Sequence, residues 1–205
     1  MKADIKICGL RRKEDAKYVN EFEEIKYVGF VFAKSKRQID IQTALEIKEN
    51  LRSDIKCVGV FTDMDIEKVN DIADKSKIDI IQLHSDETVE MCQKANKKVW
   101  KYIAAKDEEE LKKADVFAKY CDGILFDTYK KGIYGGTGET FDWDKIKDRG
   151  KNYFTILAGG IGEENILEAY EKIQPDVIDI SSSVETDGYK DYEKIKSLIR
   201  RIRNE

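Results

Sequence analysis

The stretch Ile5-Lys6-Ile7-Cys8-Gly9 carries the pattern on which the fold prediction depends. Apolar and non-apolar residues alternate over its first four positions and a glycine follows, which is typical of a short β-strand that ends at a turn. In such a strand Ile5 and Ile7 face one side of the sheet, whereas Lys6 and Cys8 face the other. A lysine and a cysteine on one face, at the C-terminal end of a strand, are unusual for a strand with a purely structural role.

Seven more short apolar runs follow, and longer charged segments with helical periodicity separate them. The predicted strands cover residues 3–8, 27–32, 55–61, 78–83, 98–103, 122–126, 153–158 and 177–180. The predicted helices cover residues 12–23, 41–52, 65–76, 87–96, 107–119, 142–149, 163–173 and 189–203. Acidic residues mark several of the predicted helix starts, namely Asp63, Asp86, Asp107 and Asp142.

The strict alternation of strands and helices predicts a parallel sheet, because every connection is a helix. Eight such units favour a closed (β/α)₈ TIM barrel over an open doubly wound sheet, although typical barrels have about 250 residues. An open Rossmann-like sheet would place a G-x-G-x-x-G turn after the first strand, and Cys8-Gly9-Leu10-Arg11-Arg12 does not match it. The sequence therefore predicts a single compact barrel domain over residues 1–205.

The composition excludes several classes of protein. Charged residues make up 38% of the 205 residues, but 37 Lys and Arg nearly balance 41 Asp and Glu, so no strong field attracts nucleic acid or an acidic membrane. No apolar run reaches the ~20 residues of a membrane span, and no secretory signal is recognised. Four widely spaced cysteines and a single histidine argue against a metal site and for a reducing, cytoplasmic compartment. Charged helix faces favour a monomer, with a homodimer left open.

Asp127 is the first candidate catalytic residue. It ends a predicted strand and shares a face with Leu125 and Gly123. The glycine-rich segment 130–138 follows it instead of a helix, which is typical of a loop that covers a ligand. The alternative is an ordinary loop or helix-capping carboxylate, but the ends of barrel strands are where this fold places its chemistry.

Cys8 is the second candidate catalytic residue, because it lies at the C-terminal end of a strand before a glycine. An ordinary thiol pKa of about 8.5 leaves a usable thiolate fraction near pH 7 when a cation is close. Lys6 and Arg37 are the candidate cations. The alternative is a small buried residue, which is the interpretation given to the other three cysteines, Cys57, Cys92 and Cys121.

Two loops predict a phosphate site. Gly159 and Gly160 end the seventh strand and precede a helix, so backbone N–H groups can approach an anion there. Asp179 lies in the eighth strand, which leads into Ser181, Ser182 and Ser183 and then into a predicted short extra helix. Loops after strands 7 and 8 form the usual phosphate site of this fold, although Gly and Ser also populate ordinary turns.

Arg37 and His84 are candidate substrate contacts. Arg37 closes the run Lys34-Ser35-Lys36-Arg37 after the second strand, and an arginine at the barrel mouth is suited to grip a planar carboxylate with two bonds. The alternative is a solvated charge run. His84 ends the fourth strand, where a lone histidine is more often structural than catalytic.

Several motifs in this order resemble the phosphoribosylanthranilate isomerase family of tryptophan biosynthesis. They are Lys6-Ile7-Cys8-Gly9, Gly29-Phe30-Val31-Phe32, Val58-Gly59-Val60-Phe61, Gln82-Leu83-His84, Gly135-Gly136-Thr137-Gly138, Phe141-Asp142-Trp143, Leu157-Ala158-Gly159-Gly160 and Asp179-Ile180-Ser181-Ser182. Ser85 and Ser183 stand where the family usually has glycine, and the loop before Arg37 is one residue shorter than usual.

The resemblance implies a cofactor-independent (β/α)₈ barrel whose partner is a small-molecule substrate. Its reaction would be the Amadori rearrangement of N-(5-phosphoribosyl)anthranilate to 1-(2-carboxyphenylamino)-1-deoxyribulose 5-phosphate. Asp127 would be the general acid and Cys8 the general base, with Arg37 on the anthranilate carboxylate and the glycine and serine loops on the phosphate. Two rival functions stay open, a Schiff-base aldolase that uses Lys6 or Lys101 and a barrel that binds a phosphorylated ligand without catalysis.

Overall fold

The computed structural model describes residues 1–127, 143–147 and 152–204. The predicted glycine-rich loop 130–138 and the predicted helix-start residue Asp142 lie outside these residues.

Eight parallel strands form a closed barrel in which each strand pairs with its neighbours in chain order. They are β1 (Asp4–Cys8), β2 (Ile25–Val31), β3 (Lys56–Phe61), β4 (Ile80–Leu83), β5 (Lys98–Ala104), β6 (Gly123–Asp127), β7 (Thr155–Ala158) and β8 (Val177–Ile180). The first strand pairs with the eighth, with Lys6 opposite Asp179, and this pairing closes the sheet. The predicted TIM barrel is confirmed, and every predicted strand overlaps an observed one.

Seven α-helices are present in the described part of the chain. They are α1 (Lys13–Asn20), α2 (Ile41–Lys48), α3 (Ile66–Lys75), α4 (Val89–Lys94), α5 (Glu108–Phe117), α6 (Ile166–Ile173) and α7 (Tyr192–Arg203). None of them is long and apolar enough to cross a bilayer.

Two of the helix predictions were wrong in part. The predicted helix 142–149 contains, among its described residues, only a short 3₁₀ helix at Trp143–Lys145. The helix predicted over 189–203 is observed as α7, which begins three residues later than predicted. The residues Tyr189–Lys190 form strand β10 instead, which pairs antiparallel with β9 (Glu185–Thr186). Asp191 then caps α7, since its side chain accepts a hydrogen bond from the Lys194 backbone N–H.

The predicted helix starts agree with the structure where a side chain caps the helix. Asp107 accepts a hydrogen bond from the backbone N–H of Glu110, as predicted. Asp63 does not cap α3, which begins at Ile66 after Asp65. Asp86 is also displaced from the helix start, because Thr88 caps α4. Both errors move a boundary by two residues and leave the element in place.

Side chains alternate between the two faces of each barrel strand. Outward-facing Ile5 and Ile7 pack, fully buried, in the layer between the barrel and the helices. Inward-facing apolar side chains fill the lower barrel, and they are Val58, Ile80, Trp100, Leu125, Ile156 and Val177. Ala158 belongs to the same cluster but lies at the rim, opposite Asp127. Lys6, Gln82 and Asp179 are buried polar residues that also point inward. The barrel interior is thus apolar towards the N-terminal ends of its strands and polar towards their C-terminal ends.

Candidate active site

Cys8 ends β1 on its inner face, where it packs against Val31, Ala33 and Val60. Its partner in the neighbouring strand is Gly29. A Cβ at Gly29 would lie 2.5 Å from Cys8 Sγ, closer than Cβ atoms are found to any neighbour. The absence of a side chain at position 29 therefore makes room for the thiol at the barrel mouth.

The resting site favours the thiol form of Cys8 over the thiolate. Burial raises the pKa of Cys8 above its ordinary value, and the charges of Lys6 and Lys190 oppose this shift without reversing it. The carboxylate of Asp179 adds to the increase. Lys6 is the nearby cation that the sequence suggested, but its positive charge is partly neutralised by Asp179 and does not produce the thiolate on its own.

Lys6 is held at the centre of the barrel by two hydrogen bonds. Its Nζ lies 2.7 Å from Asp179 Oδ2 and 3.0 Å from Gln82 Oε1. Burial works against the charge on Lys6, but Asp179 and Cys8 outweigh it and raise the pKa of the lysine. The other carboxylate oxygen, Asp179 Oδ1, is buried and has no hydrogen-bond partner among the described residues.

Asp127 ends β6 on the same rim of the barrel, between Ala104 of β5 and Ala158 of β7. The imidazole of His84 lies beside it, with 4.0 Å between His84 Nε2 and Asp127 Oδ2. The His84 ring packs against the Tyr102 ring, with 4.3 Å between the ring centroids and an angle of 32° between the ring planes. Burial, with the charges of Lys6 and Lys101, lowers the pKa of His84 to about 4, so the imidazole is neutral near pH 7.

Arg37 lies near Cys8 but already has an acidic partner. Its Nε and Nη2 each lie 2.7 Å from an oxygen of Glu185, which is a two-bond contact between guanidinium and carboxylate. The hydrogen bond to Glu185 is the main reason that the pKa of Arg37 is raised. The aliphatic part of the Arg37 side chain passes over Gly9, where a Cβ would lie 2.6 Å from Arg37 Cδ.

Two charged residues of the site, Glu185 and Lys190, were not identified from the sequence. Lys190 is buried and its Nζ donates to Glu185 Oε1 at 2.8 Å and to the Ser181 carbonyl at 3.0 Å. The predicted helix over 189–203 concealed Lys190, because it placed this residue in a helical turn. The β9–β10 hairpin turns this lysine inward instead. A Gly188 with a φ of +78° closes the hairpin and was the available sequence signal.

The loops after β7 and β8 meet at the barrel rim. Gly159 and Gly160 have φ values of +92° and +66°, which allow the chain to turn back across the strand end. Ser183 Oγ donates to the Ile161 carbonyl at 2.7 Å and joins the two loops. Ser182 begins the predicted short extra helix, which is a 3₁₀ turn over Ser182–Val184. Ser181 Oγ donates to the Cys8 carbonyl at 3.3 Å and connects these loops to the thiol.

The arrangement suits acid–base chemistry on a small anionic molecule. A thiol and a carboxylate lie three strands apart on the rim of one barrel, and a backbone loop surface adjoins the thiol. The described residues contain no group of three or more His, Cys, Asp or Glu side chains that is placed to hold a metal ion. Lys6 and Lys101 are both buried and ion-paired, to Asp179 and Glu87, which does not favour a Schiff-base role for either.

Comparisons with known proteins agree with this geometry. A family model described as N-(5'phosphoribosyl)anthranilate (PRA) isomerase matches residues 5–201. The N-(5'-phosphoribosyl)anthranilate isomerase of Thermoanaerobacter pseudethanolicus is 47% identical over 200 residues, which are 97% of each chain. The crystal structure of phosphoribosyl anthranilate isomerase from Thermotoga maritima superposes with a TM-score of 0.89 at 34% identity, over 99% of this chain and 100% of that one.

A second similar structure contains a ligand. It is a phosphoribosyl anthranilate isomerase in complex with reduced 1-(o-carboxyphenylamino)-1-deoxyribulose 5-phosphate, and it superposes with a TM-score of 0.86 at 32% identity, over 99% of this chain and 100% of that one. The family model and the relative each cover nearly the whole barrel, including the rim that carries Cys8 and Asp127. The chain belongs to the phosphoribosylanthranilate isomerase family, the isomerases of tryptophan biosynthesis.

Proposed function

We propose that this chain converts N-(5'-phosphoribosyl)anthranilate to 1-(2-carboxyphenylamino)-1-deoxyribulose 5-phosphate, with Asp127 as general acid and Cys8 as general base. The observation that carries the proposal is the position of these two groups at the ends of β6 and β1, on one rim of a barrel. A sugar bound between them would present its ring oxygen to one group and its C2' hydrogen to the other.

The reaction requires one proton transfer from each group. Asp127 protonates the furanose ring oxygen, and the C1'–O bond breaks to leave an iminium between C1' and the anthranilate nitrogen. The iminium withdraws electrons from C2', so the Cys8 thiolate can remove the C2' proton and leave an enolamine. Tautomerisation then protonates C1' and makes the C2' carbonyl. Positioned acid–base groups of this kind contribute about 10²–10⁴-fold each.

The raised pKa of Cys8 fits this sequence of steps. Once the positive iminium has formed beside it, the Cys8 thiol releases its proton to solvent, and the resulting thiolate is present when the C2' proton has become acidic. An opposite charge within a few ångströms favours the ionised form of an acid, so the iminium itself is the missing cation. The substrate therefore completes the ionisation that Lys6 and Lys190 begin.

Four parts of the site bind the substrate in this proposal. Asp179 Oδ1, which is buried and has no hydrogen-bond partner within the described part of the chain, accepts a hydrogen bond from a sugar hydroxyl, because a buried polar atom without a partner is costly. Arg37, oriented by Glu185, donates its remaining N–H groups to the anthranilate carboxylate. His84 contacts the substrate beside Asp127. The phosphate lies on the joined loops, which contain Gly159, Gly160, Ser181, Ser182 and Ser183.

A turnover assay with purified protein tests the proposal, with loss of phosphoribosylanthranilate fluorescence as the signal. Activity is expected in the presence of a metal chelator. Cys8→Ser and Asp127→Asn are each expected to lower kcat by roughly 10²-fold or more, with little change in the inhibition constant of inorganic phosphate. Cys57→Ser, at a buried cysteine far from the rim, is the matched control. Near-normal kcat in both active-site variants would refute the assigned roles.

We further propose that the protein works as a monomer or homodimer in the cytoplasm. The four cysteines are all free thiols, which suits a reducing compartment. Fractionation of the source cells and light scattering of the purified chain test these two points. Recovery in a secreted fraction or a larger assembly would contradict them.

A further inference from the structure

We propose that Gln82 holds His84 in the tautomer that carries its proton on Nε2, which makes His84 a fixed hydrogen-bond donor towards Asp127. Gln82 is then a positioning residue that acts on the general acid through the imidazole. The inference rests on the proposed role of Asp127, because it assigns the imidazole to the same proton-transfer step. It begins from the buried hydrogen bonds that cross the barrel below the rim.

The ammonium group of Lys6 fixes the orientation of the Gln82 amide. Lys6 keeps its ammonium form through its 2.7 Å bond to Asp179, and an ammonium group can only donate hydrogen bonds. The atom of Gln82 that lies 3.0 Å from Lys6 Nζ must therefore be the carbonyl oxygen, Oε1. The opposite orientation would place two donors against each other in the buried centre of the barrel. Lys6 thus determines which way the amide points.

The oriented amide of Gln82 in turn fixes the tautomer of His84. With Oε1 directed at Lys6, the amide nitrogen Nε2 of Gln82 lies 2.9 Å from His84 Nδ1. An amide NH₂ group donates and cannot accept, so Nδ1 must present its lone pair. A neutral imidazole with an unprotonated Nδ1 carries its proton on Nε2. The burial and neighbouring charges that keep His84 neutral exclude the doubly protonated ring near pH 7.

The Nε2 proton of His84 points towards Asp127. Nε2 faces Asp127 Oδ2 across 4.0 Å, and the tilted packing of the ring against Tyr102 helps to hold it in that direction. A closure of about 1 Å on substrate binding would give a normal N–H···O hydrogen bond. Asp127 becomes a carboxylate when it gives its proton to the sugar, and a donor in this position stabilises that product of the transfer. The opposite tautomer would place a lone pair against the new negative charge.

The sequence makes the tautomer directly measurable, because His84 is the only histidine in the 205 residues. Protein labelled with ¹⁵N-histidine gives one imidazole, whose two nitrogen shifts and ring-proton couplings distinguish the tautomers. We expect the pyrrole-type shift at Nε2 and the pyridine-type shift at Nδ1 in the ligand-free protein near pH 7. A protonated Nδ1 in the native protein would overturn the inference even if the enzyme turns over normally.

Two variants then test the control by Gln82. In Gln82→Glu the carboxylate accepts from both Lys6 and the histidine, so Nδ1 is expected to gain a proton and kcat to fall by about tenfold or more. The charges that face the ring from other elements, Lys6, Lys101 and Asp127, are unchanged in this variant. In Gln82→Met, which keeps the volume and removes both bonds, a mixture of tautomers and a smaller loss of kcat are expected.

Gln42→Glu is the matched control, because Gln42 is exposed on α2 and should leave both the tautomer and kcat unchanged. An Nε2–H tautomer that persists in both Gln82 variants would overturn the inference. A full loss of tautomer preference with unaltered kcat would overturn its catalytic part. If instead Asp127→Asn retains activity, the proposed general acid fails while the tautomer result stands, so the two failures are distinguishable.

Discussion

Gly29→Ala is expected to displace the Cys8 thiol, the proposed general base, while leaving the barrel intact. The new Cβ would lie 2.5 Å from Cys8 Sγ and 3.0 Å from Cys8 Cα. Ordinary contact begins at 3.4 Å, so the sulfur must move by about 0.9 Å or rotate to another position. The backbone of Cys8 cannot retreat easily, because Gly9 and Leu10 both donate to the Gly29 carbonyl.

A displacement of this size predicts a large loss of rate and a small loss of binding. A misplacement of about 1 Å at a reacting group can lower the rate by about 10²-fold, so kcat of Gly29→Ala should fall by that order. The KM for the substrate should change less than threefold, since the phosphate loops and Arg37 are untouched. Steady-state turnover gives both constants, and overpacking should also cost about 1–3 kcal/mol in the free energy of unfolding.

Gly59→Ala separates the effect on the thiol from the effect of overpacking. A Cβ at Gly59 would lie 2.4 Å from Ile78 Cδ1 and 2.9 Å from a Phe61 ring atom, on the outer face of β3 and away from the rim. This variant should lose comparable stability and keep kcat in its folded fraction. A folded Gly29→Ala enzyme with normal kcat, or equal losses of kcat in both variants, would refute the reasoning.

Three further predictions concern ionisation, stability and the phosphate loops. Because the pKa of Cys8 is raised, the rate of its alkylation by iodoacetamide should increase by nearly tenfold per pH unit from pH 7 to pH 9. Peptide mass spectrometry measures this rate, and a plateau near pH 7 would contradict the prediction. Glu87→Gln should destabilise the fold by about 3–5 kcal/mol in urea unfolding, since it leaves the buried Lys101 ammonium unpaired, and adding Lys101→Met should restore part of the loss. Gly162→Ala places a Cβ 2.9 Å from Ser183 Cβ and should separate the loops after β7 and β8. Inhibition by inorganic phosphate should then weaken by about tenfold, or about 1.4 kcal/mol. An unchanged inhibition constant would count against the assignment of these loops to the phosphate.

The barrel was predictable because its signal is repeated eight times along the chain. Alternation in a strand such as Ile5–Cys8 is a local property, and eight strands that are joined by helices allow few arrangements. Helix boundaries were less predictable, because a cap depends on which side chain reaches the first turn. Asp107 does so and Asp63 does not, although both precede charged helical segments.

The same distinction between local patterns and long-range contacts applies to the candidate active site. Cys8 and Asp127 were identifiable because each ends a strand, and the fold brings strand ends together. The Arg37 contact with Glu185 joins residues 148 positions apart, and no local pattern indicates such a pair. Lys190 was assigned to a helix because a two-residue hairpin has almost no sequence signal beyond its glycine. The two proposed reacting groups were thus located from the sequence, and only the structure showed what surrounds them.

The surroundings of Cys8 explain why a cysteine among lysines rests as a thiol. Lys6 is paired with Asp179, while Arg37 and Lys190 share Glu185, so these five side chains sum to one positive charge. Burial outweighs that single charge, and the proton stays on sulfur until another cation arrives. The iminium of the ring-opened substrate is such a cation. In the proposed mechanism the base is therefore activated by the product of the acid step, and this dependence orders the two proton transfers.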